Sequence, residues 1–142
     1  MAIGHQPGAR IQASINPDMA KTKQVEVLDS IDAMFRAFSD RTRLRILRIL
    51  LDGDLCVGDI VEILRAPQPR ISRHLAYLRK AGLVDVRKCG LWKHYSLVPA
   101  KDTFHRRLLE CLEKCFSEVP ELKADNARAA KIKKSGGCCL SS

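Results

Sequence analysis

The sequence lacks any apolar segment long enough to cross a bilayer, which takes about 20 residues. Its first twenty residues also lack the apolar core of a signal peptide, so a cytoplasmic location is expected. No glycine-rich phosphate loop, no His-Glu-x-x-His motif and no recognisable cysteine–base pair is present. These absences argue against a membrane-spanning protein, an exported protein and an enzyme.

Acidic residues are scarce relative to basic ones. The 142 residues include 16 Asp and Glu against 25 Lys and Arg, a formal net charge of +9. Such an excess raises affinity for polyanions, above all nucleic acid, because binding releases condensed counterions. A chain of this length holds one domain with a real core plus tails. We predict a flexible arm over residues 1–22, a folded domain over 23–118 and a flexible basic tail over 119–142.

Helical periodicity dominates the predicted domain. Apolar residues recur every three or four positions in three successive stretches, and again after Asp102, where Phe104, Leu108, Cys111, Leu112 and Cys115 share one side. The three earlier apolar lines are Leu28-Ile31-Phe35-Phe38, Leu44-Leu47-Leu51 and Val57-Ile60-Val61-Leu64. Ser39 or Asp40 can cap the second helix.

The segment 68–82 has two unlike faces. Ile71, Leu75 and Leu78 form an apolar stripe, which predicts a helix packed on a core. Pro67 and Pro69 mark the turn into it, so it forms a helix-turn-helix with the preceding short helix. Its other face carries side chains suited to base edges and phosphates in the DNA major groove. The predicted contacts there are Gln68, Arg70, Ser72, Arg73, His74 and Tyr77.

After Gly82 the periodicity changes to that of strands. Residues 83–88 and 91–97 predict a β-hairpin with a tight turn at Cys89-Gly90. A basic hairpin beside a groove-reading helix is a wing, and we expect Lys88 and Lys93 to contact phosphates. The predicted fold class is mainly α with a small β-hairpin, a dimeric winged helix-turn-helix.

Several ordered motifs together resemble the ArsR/SmtB family of metalloregulatory winged-helix repressors, over roughly residues 30–116. They are Asp54-Leu-Cys-Val-Gly-Asp-Ile60, Gln68-Pro-Arg-Ile-Ser-Arg-His-Leu75, Leu78-Arg-Lys-Ala-Gly-Leu-Val84 and Lys93-His-Tyr-Ser-Leu97. The segment 38–47 is similar to the family's opening motif, with Arg41 where proline is common. The resemblance implies a homodimer built on the first and last helices, which binds an inverted-repeat operator and is released by a ligand.

The cysteines indicate which ligand would release the protein from its operator. Arsenic-responsive members often carry Cys-Val-Cys in the third helix, whereas this chain has Cys56-Val57-Gly58. One thiol is too few for a soft trivalent ion. We therefore expect Cys56 to be a small buried filler. Cys89, at the wing tip, is expected to be incidental.

The predicted inducer is trivalent arsenic, as arsenite or methylarsenite, bound by thiolates near the C-terminus. Cys138 and Cys139 are adjacent, and some arsenic-responsive members of the family have such vicinal pairs there. Cys115 or Cys111, at i, i+4 on the last predicted helix, is expected to supply the third thiolate, with Cys56 as the alternative. Cadmium, lead or antimony binding at the same thiols is a further alternative.

Three other functions remain open. A zinc site of the family type would use Asp102, Cys115 and Glu118, but Phe104 stands where a histidine is wanted. A thiol-redox or persulfide-responsive repressor would pair Cys138 or Cys139 with Cys111 or Cys115. A ligand-free architectural DNA binder would need the basic charge alone.

Overall fold

The computed structural model describes residues 17–136, except for the side chains of residues 17–20 and 22. The elements in chain order are α1 (Pro17–Phe38), α2 (Arg41–Leu50), β1 (Leu55–Cys56), α3 (Val57–Leu64), α4 (Gln68–Lys80), β2 (Val84–Cys89), β3 (Trp92–Leu97), α5 (Thr103–Lys114) and α6 (Pro120–Ser135). Every helix in this part of the chain is too short or too polar to span a membrane.

The chain divides into two compact units, residues 1–35 and residues 36–142. The described part of the first unit is helical from Pro17, so the prediction of a flexible arm over residues 1–22 is wrong for its last six residues. The remainder of that arm, residues 1–16, lies outside the described residues. Leu28 and Phe35, which belong to the predicted apolar stripe, are exposed, and so is Val25.

Helix α2 is the first element that contributes to the core of the second unit. The Asp40 side chain caps this helix by accepting a hydrogen bond from the Arg43 backbone N–H at 3.0 Å, which confirms one of the two predicted caps. Four side chains of α2 are buried, namely Ile46, Leu47, Ile49 and Leu50.

Helices α3 and α4 form the predicted helix-turn-helix and pack against each other. The buried positions of α4 are Ile71, Leu75 and Leu78, the stripe that periodicity indicated. Arg65 ends α3 in the left-handed region at φ 54°. The chain can therefore reverse at once into Pro67, the N-terminal cap of α4.

A three-stranded antiparallel sheet, in the order β1-β3-β2, stands beside the two helices. Strands β2 and β3 form the predicted hairpin, but Cys89 pairs with Trp92, so the turn residues are Gly90-Leu91 rather than Cys89-Gly90. Gly90 adopts φ 64°, which a residue without a side chain tolerates best. Periodicity gave no sign of β1, whose two residues pair with Tyr95 and His94 of β3.

Helix α6 contradicts the prediction that residues 119–142 form a flexible tail. Pro120 begins a new helix at its first turn, where a missing N–H costs nothing, and the helix continues to Ser135. It packs on α2 and α3. Sequence periodicity missed it because its few apolar contacts are supplemented by buried polar ones, centred on Asp125, which is fully buried. Residues 137–142 of the tail lie outside the described residues.

Candidate nucleic-acid interface

Helix α4 presents an exposed polar face opposite its buried stripe. The side chains of Gln68, Arg70, Ser72 and Arg73 are exposed on that face. Guanidinium and amide groups at such positions can form paired hydrogen bonds to guanine and adenine in the major groove. Tyr77 is also exposed, at 41%, so five of the six helix residues predicted to contact DNA are exposed and His74 alone is partly buried.

The two predicted wing contacts, Lys88 and Lys93, lie directly opposite each other across β2 and β3. Both are exposed. Like charges at directly opposed positions of an antiparallel pair repel each other and weaken the hairpin. A phosphate placed between the two ammonium groups would convert this repulsion into attraction.

A groove of about 470 Å³ separates α4 from the wing. Gln68, Ser72 and Arg79 line its helix side, while Trp92 and Lys93 line its wing side. Of the predicted contacts, Gln68 and Ser72 of the helix and Lys93 of the wing thus share one groove. We call the exposed set Gln68, Arg70, Ser72, Arg73, Lys88 and Lys93 the reading face.

The other two predicted contacts, His74 and Tyr77, are engaged by Arg43 of α2. The guanidinium carbon of Arg43 lies 4.0 Å from the centroid of the Tyr77 ring, a cation–π contact. Its Nη1 is 3.4 Å from His74 Nδ1, and its Nε donates to the Ala37 carbonyl at 2.9 Å. Arg43 therefore ties the end of α1 to the recognition-type helix and fixes the orientation of α4.

The charge state of His74 follows from this position. Burial lowers its pKa below the ordinary value, and the positive charges of Arg43, Arg73 and Arg70 lower it further against the opposing effect of Asp40. His74 Nδ1 is 3.8 Å from Asp40 Oδ1. At neutral pH the ring is therefore neutral.

Sequence reasoning missed three contributors to this surface. Arg43 was noted only within the motif of residues 38–47 and was given no contact of its own, because an arginine on a short helix is usually solvated. Arg79 follows Tyr77 by two positions and was not singled out, although it lines the groove. Leu91, almost fully exposed at 99%, stands at the tip of the wing, where an apolar side chain has no folding role.

The described cysteines fall into two groups. Cys111 and Cys115 are exposed, free and close together at the end of α5, where a hydrogen bond from one thiol to the other raises the pKa of Cys111. Cys89 is also exposed and free. Cys56 is fully buried, as predicted, but it is disulfide-bonded. Cys138 and Cys139, the predicted vicinal pair, lie outside the described residues.

The residues of the alternative zinc site have other roles in the fold. Asp102 caps α5 by accepting from the His105 backbone N–H at 2.8 Å. Glu118 is exposed and 3.4 Å from Lys123 Nζ. Within residues 17–136, no three His, Cys, Asp or Glu side chains are grouped so that they could hold a metal ion.

Comparisons with known proteins agree with this geometry. Residues 40–86 match the family model described as "Bacterial regulatory protein, arsR family". The chain is 41% identical over 86 residues to the arsenical resistance operon repressor of Escherichia coli strain K12, which covers 60% of this chain and 74% of that protein. It is 37% identical to a cadmium resistance transcriptional regulatory protein CadC homolog of Staphylococcus aureus, over 74% of this chain and 79% of that one. Among solved structures, reduced HlyU from Vibrio cholerae N16961 matches with a TM-score of 0.59 and 30% identity, over 68% of this chain and 98% of that one.

Proposed function

Because this chain belongs to the ArsR family of bacterial transcriptional regulators, we propose that it represses transcription from an inverted-repeat operator and is released by trivalent arsenic. The DNA-binding part of the proposal is supported by the reading face. Exposed polar side chains of α4 share a groove with Lys93 of the wing, and Lys88 lies opposite Lys93. The chain's formal net charge of +9 supports the same partner.

The proposed repressor is a cytoplasmic homodimer. Exposed Val25, Leu28 and Phe35 on α1, and exposed Phe116 and Val119 after α5, support an apolar interface formed by the first helix and the last helices of the winged domain. Two-fold symmetry would then set two α4 helices about 34 Å apart, one turn of DNA. The operator would accordingly be an inverted repeat of two half-sites.

The proposed inducer is arsenite or methylarsenite, held by thiolates. Support comes from the number of cysteines, six in the chain, and from the vicinal pair Cys138-Cys139 near its end. The name of the Escherichia coli relative points to arsenic, and that of the Staphylococcus aureus relative points to cadmium. The sequence leaves the third thiol among Cys115, Cys111 and Cys56.

The test begins with selection of bound duplexes from a random pool, followed by titration of the reduced protein–DNA complex with candidate inducers. We expect an inverted repeat, released by arsenite or methylarsenite at lower concentration than by antimonite, cadmium, lead or zinc. Selection of sequences without a repeat would contradict the dimeric operator. If none of these ions releases the protein from DNA, the result would contradict metalloregulation and favour the architectural function.

A second candidate function is a thiol-redox repressor, and the disulfide at Cys56 is the observation that favours it. In that case the oxidant diamide, which takes two thiols to a disulfide and is itself reduced to a hydrazine, should release operator without any metal. Release by arsenite but not by diamide would reject it.

A further inference from the structure

The tip of the wing is a two-residue turn, Gly90-Leu91, between the paired residues Cys89 and Trp92. Gly90 has φ 64°, and among the described residues Arg65 is the only non-glycine with a positive φ, so φ is negative at Leu91. A glycine of positive φ followed by a residue of negative φ fits a type II′ hairpin turn. Small polar residues are the usual choice at such turns. The turn itself therefore gives no reason for a leucine.

Leu91 also contributes nothing to the core. Its side chain is 99% exposed, and the neighbouring Trp92 is 37% exposed. A Cβ added at Gly90 would meet no atom within 4 Å beyond its chain neighbours, so the tip stands clear of the rest of the domain. Behind it lie the opposed ammonium groups of Lys88 and Lys93. An apolar tip backed by two cations suits a partner whose phosphates enclose less polar surface, as they do in duplex DNA.

The groove between α4 and the wing, which we call the wing groove, is bounded along most of the length of α4. Its helix side is a line of residues three or four positions apart, which share one face of the helix: Gln68, Ser72, Ala76 and Arg79. Leu91, Trp92 and Lys93 form its other side. Arg79 and Lys93 bring one positive charge from each side, and none of the described residues that line the groove is acidic. The wing groove is therefore suited to a sugar–phosphate strand.

The geometry of duplex DNA then fixes what Leu91 meets. A helix in the major groove is bordered by a sugar–phosphate strand, and the minor groove begins on the far side of that strand. With α4 in the major groove, the bordering strand would occupy the wing groove, about 470 Å³ in volume. The tip of the wing lies across this groove from α4. Leu91 is therefore placed over the adjacent minor groove.

An apolar side chain in the minor groove distinguishes base pairs by what it cannot bind. Both A·T and G·C pairs present acceptors there, but only G·C adds the projecting 2-amino group of guanine. Leucine has no acceptor for that group. Covering the amino group would remove its hydrogen bond to water without replacing it, which is unfavourable.

We propose that Leu91 enters the minor groove beside the half-site contacted by α4 and selects A·T over G·C pairs there by apolar contact. This deepens the DNA-binding part of the function proposed above and rests on it. It gives the wing a residue that reads sequence, in addition to lysines that contact phosphates.

The test uses the duplex selected by the wild-type protein. The position to change lies about half a turn, roughly five base pairs, from the centre of the α4 contact. An A·T pair there is replaced by G·C or by inosine·C, which has the major-groove edge of G·C but lacks the 2-amino group. We expect G·C to weaken wild-type binding roughly 5- to 100-fold, and inosine·C to restore it.

Two variants of Leu91 separate apolar contact from the mere presence of a side chain. Leu91→Asn suits the turn and supplies an acceptor for the amino group, so it should bind the A·T and G·C duplexes alike. Leu91→Met keeps an apolar side chain of similar reach and should keep the wild-type discrimination. Neither changes the charge, so the salt dependence of binding should match that of wild type.

Trp92, the single tryptophan of the chain, reports whether DNA occupies the wing groove. Acrylamide should quench its fluorescence less in the complex than in the free protein. The proposal is overturned if quenching is unchanged by DNA, if inosine·C binds as weakly as G·C, or if Leu91→Asn keeps the wild-type discrimination.

Failure of this inference is distinguishable from failure of the proposed function. A selected inverted repeat that binds tightly but shows no discrimination at this position would overturn the role of Leu91 and leave the repressor standing. If selection from the random pool enriches no sequence, specific DNA binding is overturned, and the role of Leu91 with it.

Discussion

Arginines on two sides of the domain have opposite surroundings. On the reading face, Arg70 and Arg73 are exposed. At the contact between α2 and α6, which we call the α6 anchor, Arg45 and Arg128 converge on the buried carboxylate of Asp125. Arginine is therefore exposed on the proposed DNA-binding face, whereas at the α6 anchor it pairs with an enclosed carboxylate.

Both oxygens of Asp125 in the α6 anchor accept hydrogen bonds from arginine side chains. Arg45 contacts Asp125 through two nitrogens, at 2.8 and 2.9 Å, and this bond raises the pKa of Arg45. Arg45 also donates to the Leu64 carbonyl at 3.0 Å. A buried charge of this kind is tolerated because both carboxylate oxygens accept hydrogen bonds from guanidinium groups. The anchor thereby fixes α6 to α2 and to the end of α3.

The largest effect should come from breaking the anchor. Asp125→Ala leaves two guanidinium groups facing a buried cavity, and loss of one partner from a buried pair costs about 3–5 kcal/mol. We expect a fall of that size in the free energy of unfolding, measured by urea denaturation.

Glu121→Ala is the matched control for Asp125→Ala. Glu121 binds Arg41 at 2.9 and 3.0 Å on the exposed side of the same contact, where solvent screens the pair. Glu121→Ala should therefore lower the free energy of unfolding far less than Asp125→Ala does. Equal effects of the two substitutions would show that burial does not distinguish the two carboxylates.

The next largest effect should be on the reading face. Arg73→Ala removes an exposed base or phosphate contact and should weaken specific operator binding by about 1–3 kcal/mol, without a change in stability. Fluorescence anisotropy with the selected duplex measures it. The control Lys131→Ala, which removes one positive charge from α6, should leave specific binding almost unchanged. Wild-type operator affinity in Arg73→Ala would show that Arg73 lies outside the interface.

A smaller effect should come from the wing. Lys88→Ala removes one phosphate contact, so it should weaken binding to all sequences alike and reduce the slope of log affinity against log salt by about one unit. Because Lys88 opposes Lys93, the variant should also unfold no more easily than wild type. An altered sequence preference at an unchanged salt slope would instead make Lys88 a base-reading residue.

The sequence predicted the winged helix-turn-helix well because its elements are specified locally. The stripe of α4, the cap at Asp40 and the hairpin turn near Gly90 each depend on residues close together in the chain. These local signals predict the helix-turn-helix and the wing without knowledge of the tertiary structure.

Helix α6 and the surroundings of Cys56 depend on distant pairs. Asp125 contacts Arg45, 80 positions away, and Lys133 contacts Asp52, 81 positions away. The two-residue strand β1 exists only because β3 passes beside it. No periodicity reports such contacts, which is why the tail was predicted to be flexible.

The smallest expected effect is on the pH dependence of stability, and it compares a histidine of the core with one beside the reading face. His105 of α5 is fully buried, and its Nδ1 accepts from the Lys101 backbone N–H at 3.2 Å. Burial lowers its pKa below the ordinary value near 6.5, aided by Lys101 and opposed by Asp102. His74 shares the lowered pKa, but it is only partly buried.

A histidine whose pKa is lower in the folded state binds fewer protons there than in the unfolded chain. Its contribution to stability is therefore complete above pH 6.5 and is lost progressively as the pH falls toward the folded-state value. Protonation of His105 would also place a second donor against the Lys101 N–H. We expect the melting temperature to drop between pH 7.5 and pH 5.5, and His105→Gln to flatten this drop more than His74→Gln does. If His74→Gln flattens it more, the acid sensitivity belongs to the reading face and not to the core of α5.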